Sequence, residues 1–325
     1  MASRTWGFLI FRILREALNI SSTTDKKENC NYELSSQVLD PAWDSFVSNT
    51  PGGDHLQSSL WAAFKAHAGW RPLRIVVRTD GGILGGVQLL VRQMFHALKV
   101  AYVAQGPVIP NCESVISHQL LDILANWVRS ERIDYLLFEP GYIWSPDIDL
   151  KKWGFKAGRI HGGQRASLLL DLRKGTDELL RQMRRTTRNN IGTANALGIE
   201  VREGGEQDLG VFHQLLQETG KRRKFTPESH EYFARLWNQL GPAKHVKLFL
   251  AEHKGVVLSG LLIIMFGDTV VGKRFAWGGS MKRFRPNELL YWRVIEWAKA
   301  NGFQRFDFDG IDMAEAVRVA RASSS

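Results

Sequence analysis

The sequence predicts a mixed α/β protein of two domains built on one plan, and three features predict it. A strand, a break, an amphipathic helix and a returning strand follow one another in that order twice. A hairpin-rich stretch precedes each copy. The chain has 325 residues, enough for two domains that each bury a core.

The clearer copy spans residues 275–310. Its opening alternates, then breaks at Gly278, Gly279 and Ser280, which reads as a strand ending in a turn. Pro286 suits a first helical turn. Leu289, Leu290, Trp292, Val294, Ile295 and Ala298 supply an apolar stripe, and Asn301-Gly302 is a stop. Residues 305–308 return as a strand closed by Asp309-Gly310. The earlier copy has a strand at 100–103, a break at Gly106-Pro107, a helix over 114–129 and a strand at 135–138 ending at Glu139-Pro140.

In chain order, residues 1–31 read as a leader and linker. The apolar run at 6–20 is interrupted by Arg12, Arg15 and Glu16, and it is shorter than the ~20 residues a membrane span needs. The first domain is expected over 32–150. It holds a strand at 32–39, short helices at 41–47 and 56–66, the second capped by Asp54, and a hairpin of strands 71–78 and 83–92. The second domain is expected over 151–312. After a strand at 167–171 comes one basic helix from Thr176 or Asp177 to Gly198, then a strand at 199–202 and helices at 207–218 and 227–239. A hairpin across Lys254-Gly255 and a strand at 270–277 complete it, and residues 313–325 form a tail.

The formal net charge of +10 favours anionic partners: nucleic acid, nucleotide phosphates or an acidic membrane face. Cys30 and Cys112 have no metal or redox spacing, which fits a reducing compartment. We expect no metal site and no serine triad. Residues 267–274, GDTVVGKR, approach a phosphate loop, but Arg274 stands where magnesium needs a hydroxyl and a strand follows instead of a helix.

Arg181, Arg184, Arg185 and Arg188 share one face of the expected basic helix, a spacing suited to forked contacts with phosphate. Lys221 to Lys224 make a second basic cluster, and Lys282, Arg283 and Arg285 a third. A charge run also serves as a plain solvated face. Asp307 is a candidate general base for an amine, with a strand-end carboxylate as the simpler reading. The tryptophans are core residues first and substrate walls second.

At further positions the chain resembles the FemABX family of peptidoglycan bridge-forming aminoacyltransferases. The resemblance rests on His55-Leu56-Gln57-Ser58 with Trp61, Lys65 and Gly69-Trp70; on residues 85–90 with Arg92; and on Tyr102 through Gly106-Pro107-Val108. In the second half it rests on the arginine helix and residues 198–201, Glu218-Thr219 with Arg222 and Phe225, Gly279-Ser280, Pro286, and Phe306-Asp307. It implies two tandem GNAT-like (acyl-CoA N-acyltransferase-like) domains. It also implies transfer of an amino acid from aminoacyl-tRNA to the side-chain amine of a peptidoglycan precursor, nucleotide-linked or lipid-linked, in the cytoplasm or at the inner membrane face. No cofactor is implied.

By matching positions, the resemblance implies that Gln57, Trp61, Lys65 and Arg222 bind the precursor, with Lys65 and Arg222 on its diphosphate. Tyr102 lines the reaction cleft, and Arg181, Arg184, Arg185, Arg188, Lys282, Arg283 and Arg285 face tRNA. Three departures stand out: Gln105 replaces the arginine that usually precedes Gly-Pro, Ile109-Pro110-Asn111 stand where an acidic residue usually follows it, and residues 313–321 differ from the family's lysine-bearing end, which is missing or altered. An acyl-CoA-dependent N-acyltransferase and a non-catalytic binding protein of the same fold therefore stay open.

Overall fold

In the computed structural model the described residues are 2–5, 9–12, 31–94, 98–141, 144, 148–157 and 166–310. The chain divides into two compact units, residues 5–163 and residues 164–325 with 1–4. Each is organised on one seven-stranded sheet.

The sheet of residues 5–163 carries β3 (Asn31–Ser35), β4 (Arg71–Thr79), β5 (Gly82–Met94), β6 (Leu98–Ala104), β7 (Tyr135–Glu139), β2 (Leu9–Arg12) and β8 (Phe155–Ala157), in that order. Neighbours are antiparallel except β6 and β7, which are parallel with Val103 beside Phe138. A parallel pair needs a crossover, and α3 (Ser114–Ser130) supplies it. Its buried stripe of Ile116, Leu120, Leu121, Leu124 and Val128 packs with Val87, Leu89, Val103 and Phe138 of the sheet. Each such side chain contributes roughly 1.5–3 kcal/mol on burial. Before β4 come α1 (Pro41–Asn49) and α2 (Ser59–Ala66). Asp40 caps α1 on the Trp43 N–H at 3.0 Å, and Ser58 caps α2 on the Trp61 N–H at 3.1 Å.

The second unit repeats the plan. Its sheet order is β1 (Ala2–Thr5), β9 (Ala166–Asp171), β14 (Arg305–Asp307), β13 (Thr269–Trp277), β12 (Val256–Phe266), β11 (Val246–His253) and β10 (Glu200–Gly204). Strands β13 and β14 are parallel, joined by α8 (Pro286–Ala300). Strand β12 is buried on both faces from Leu258 to Phe266, which explains its continuous apolar run. One face meets Leu290, Val294 and Ile295 of α8, and the other meets α6 (Leu209–Arg223), with α7 (His230–Leu240) against α6. Gly260 lies under α6 because a Cβ there would come 2.8 Å from the Phe212 ring. The β11–β12 turn uses Lys254 and Gly255 at φ 50° and 78°, the left-handed pair a two-residue hairpin demands.

Four expectations are corrected. The single basic helix over 176–198 is two: α4 (Thr176–Gln182) and α5 (Arg185–Ala196), separated by extended backbone at Met183 and Arg184. Strand β3 stops at Ser35 because the Arg74 guanidinium takes the Gln37 and Val38 carbonyls, at 2.7 and 3.2 Å. Asp54 caps a 3-10 turn at His55–Gln57 on the Leu56 N–H, and α2 starts after it. Within the expected leader, Leu9–Arg12 is a strand between β7 and β8; a short apolar run has no period to tell strand from helix. The tail at 313–325 lies outside the described residues.

Candidate functional site

In the unit of residues 5–163 a layer of buried polar side chains lies where α2 meets the sheet. Arg74 is wholly buried, and its Nε donates to Gln88 Oε1 at 3.0 Å. Gln88 Nε2 donates to the Ser58 carbonyl at 2.8 Å. The β5–β6 ladder runs only to Leu90 and Tyr102. Beyond it the Gln57 amide fills the gap: Oε1 accepts from the Gln88 N–H at 2.8 Å, and Nε2 donates to the Ala104 carbonyl at 2.6 Å. Gly106 accommodates that amide, since a Cβ there would sit 2.8 Å from it. Gln57 is 0% exposed with both amide ends committed to the main chain, so it is a strut of the sheet and not the ligand contact expected.

Tyr102 stands at the end of that ladder, partly exposed. Its hydroxyl donates to Glu139 Oε2, and Gln105 Nε2 donates to Glu139 Oε1 at 3.1 Å. Burial first, and then the Glu139 charge and hydrogen bond, hold the Tyr102 phenol far above its ordinary range. It is a standing hydrogen-bond donor and not a base. Trp61 is buried, edge-on to His55 at 5.2 Å, which makes it a packing residue of α2 before anything else. Lys65 Nζ lies 5.9 Å from the Trp61 ring centre.

In the second unit Arg222, near the end of α6, lies over the Trp277 ring at 4.7 Å and donates to the Trp277 carbonyl. The Thr219 hydroxyl, one turn earlier, accepts from the Trp277 N–H at 2.8 Å. A Cβ on Gly279 (φ 85°) would strike the guanidinium at 2.4 Å, so the Gly-Ser turn and Arg222 meet. Arg222 remains exposed.

The break between α4 and α5 splits the arginine face. Arg188 turns back and its Nη1 donates to the carbonyls of Met183 at 2.5 Å and Arg181 at 3.3 Å, capping the end of α4. Arg181, Arg184 and Arg185 are exposed, and among the described residues no carboxylate forms an ion pair with them. Lys282, Arg283 and Arg285 are exposed in the turn before α8. Asp307 is 5% exposed; its Oδ1 accepts from the Ser167 hydroxyl and, at 3.0 Å, from the Asp309 N–H. That is the strand-end role, and the general-base reading is withdrawn. Lys273 and Arg274 lie on strand β13, with Arg274 forked on Glu228 and Lys273 3.4 Å from Asp309.

Two partners escaped the sequence reading. Glu139 was visible only as a strand end, and Gln105 only as a departure from a pattern. The Glu228–Arg274 fork spans 46 residues and has no local signature.

Comparison with known proteins agrees with this architecture. A FemAB family model matches residues 38–152, and an acetyltransferase (GNAT) domain model matches residues 180–315. The lipid II:glycine glycyltransferase of Staphylococcus aureus strain MRSA252 is 28% identical over 350 aligned positions, covering 83% of this chain and 82% of the relative. The crystal structure of FemX superposes with a TM-score of 0.75 at 22% identity, over 86% of this chain and 89% of that one. A tandem GNAT protein from the clavulanic acid biosynthesis pathway gives 0.51 at 12% identity, over 90% and 94%. The fold is two tandem GNAT-like domains, residues 38–152 match the FemAB family, and along most of its length the chain is similar to FemABX-type transferases.

Proposed function

We propose that the protein is an aminoacyltransferase that moves an amino acid from aminoacyl-tRNA to the side-chain amine of a lipid-linked peptidoglycan precursor. The observation that carries this reading is the similarity to a lipid II:glycine glycyltransferase along 83% of the chain. Among the described residues no helix is long and apolar enough to cross a membrane.

The chemistry asks little of the protein's own nucleophiles. The acceptor nitrogen attacks the ester carbonyl, the carbon–oxygen bond to the ribose breaks, and the ribose oxygen takes a proton. An aminoacyl ester is already activated, so positioning supplies most of the gain, up to about 7–11 kcal/mol. Tyr102, its one proton held by Glu139, orients a group in the cleft by accepting a hydrogen bond on its phenol oxygen. Arg222 offers its exposed guanidinium to a phosphate of the precursor, and Lys65 does the same from its own unit. Arg181, Arg184 and Arg185 contact the tRNA backbone.

A transfer assay tests the proposal. Charged tRNA and acyl-CoA are supplied in parallel against lipid-linked and nucleotide-linked precursor. Amide formation from charged tRNA onto the lipid-linked acceptor is expected; transfer from acyl-CoA alone refutes it.

A further inference from the structure

The β11–β12 turn and the loop before α8 border an open cavity of about 710 Å³. Lys254 and Val256 line it from the turn, and Met281, Lys282 and Arg283 from the loop; the rings of His253 and Phe284 lie 4.6 Å apart on its wall. Lys254, Lys282 and Arg283 are exposed, and among the described residues no carboxylate forms an ion pair with any of them. His253 Nδ1 sits 3.2 Å from the Gly198 carbonyl, which holds the ring in place. Val256 and Met281 are 53% and 42% exposed, an apolar floor that a plain solvated charge cluster does not need.

We propose that this cavity binds an unpaired RNA end. Unneutralised cations beside aromatic and apolar surface suit a ligand that is anionic along one edge and flat and apolar in its body. That is a nucleotide. The volume is on the scale that encloses one small ligand, so it admits a base or two and not a duplex. A base stacks on a ring only when it is free of its own helix, which selects single-stranded RNA. Coenzyme A shares some of this chemistry, but its diphosphate needs backbone N–H groups at a helix start. Here Pro286 at the first position of α8 lacks one, and the cations are spread over two loops. The inference rests on the tRNA-dependent reading and adds to it the place where the unpaired, amino-acid-bearing end is held.

The test is fluorescence anisotropy of the full chain with a labelled single-stranded hexaribonucleotide, with a blunt RNA duplex and coenzyme A as competitors. The double variant Lys254→Ala with Lys282→Ala removes two exposed cations and leaves Arg283 in place over the Phe284 ring, 5.1 Å from its centre. It is expected to weaken binding at least tenfold at low salt and to flatten the plot of log K against log salt by about 1.4, at ~0.7 per phosphate released. Phe284→Leu, checked for an unchanged melting temperature, is expected to weaken binding roughly 5- to 150-fold with the salt slope unmoved, the mark of lost stacking. The proposal is overturned if both variants bind as the parent does, if the duplex competes as well as the single strand, or if coenzyme A displaces the probe. The transfer assay separates the two ideas. Transfer from charged tRNA with an unchanged KM in the double variant removes the cavity assignment alone. Loss of hexaribonucleotide binding in that variant, with no tRNA-dependent transfer by the parent, removes the transferase reading and keeps the cavity.

Discussion

Gln57 Oε1 accepts the Gln88 N–H at 2.8 Å while the same amide donates to the Ala104 carbonyl at 2.6 Å, so one side chain stands in for a peptide group between β5 and β6. Replacing it with leucine keeps the volume and strands an N–H and a carbonyl out of reach of water. Each unsatisfied group costs about 1–3 kcal/mol. Gln57→Leu is therefore expected to lower the urea midpoint by the equivalent of roughly 2–6 kcal/mol. A variant that unfolds at the parent midpoint and shows only a raised KM for the precursor would restore the contact role that the sequence implied.

The broken arginine helix gives a second contrast. Arg188 spends its guanidinium on the carbonyls at the end of α4, whereas Arg184 and Arg185 point to solvent. Arg188→Ala is expected to cost about 1 kcal/mol of stability, the scale of an exposed charge-assisted cap, and to leave the salt dependence of tRNA binding alone. Arg184→Ala and Arg185→Ala are expected to do the reverse, each reducing the slope of log K against log salt by ~0.9. Equal slopes for all three variants would mean that Arg188 leaves its cap to meet RNA.

The doubled strand–helix–strand plan was legible because α3 and α8 carry apolar stripes at helical spacing and end at clear stops; period and punctuation are local properties. The break at Met183 was not, because nothing in residues 176–198 forbids a continuous helix. The break is met by Arg188 folding back onto the α4 carbonyls, a contact that helical spacing alone does not foretell. The site fared likewise. Motif order singled out Arg222 and Tyr102, but Glu139 meets Tyr102 across 37 residues, and only the parallel pairing of β6 with β7 brings them together. Gln57 misled for a related reason: a motif position says that a residue matters, not whether it faces ligand or sheet.

Buried phenols set an alkaline limit. Burial first, and nearby negative charge after it, raise the pKa of Tyr102, while burial pushes Tyr232 up to about 12. Unfolded tyrosine ionises near 10. Between those values the unfolded chain has lost protons that the native state keeps, so stability is full below about pH 10 and falls as pH rises beyond it. Urea midpoints measured from pH 9 upward are expected to decline, and Tyr232→Phe is expected to decline less steeply than the parent. Parallel curves for the two proteins would show that Tyr232 ionises as freely folded as unfolded.

Arg222 decides whether the second unit holds phosphate. Its guanidinium is positioned by the Trp277 ring at 4.7 Å and by the Trp277 carbonyl, and it stays exposed, so one edge is anchored while the rest is open to a ligand. A lysine at this position keeps the charge but loses the planar fork and much of the stacking on the ring. If the open edge binds a phosphate of the precursor equally in ground and transition states, its removal raises KM and spares kcat. Arg222→Ala is expected to raise the KM for the precursor by about tenfold or more, the scale of one charge-assisted hydrogen bond, and Arg222→Lys by less, with kcat within a factor of ~2 in both. The KM for charged tRNA is expected to stay where it was. A fall in kcat at unchanged precursor KM would move Arg222 from binding to the transition state, and a raised KM for charged tRNA alone would hand it to the RNA.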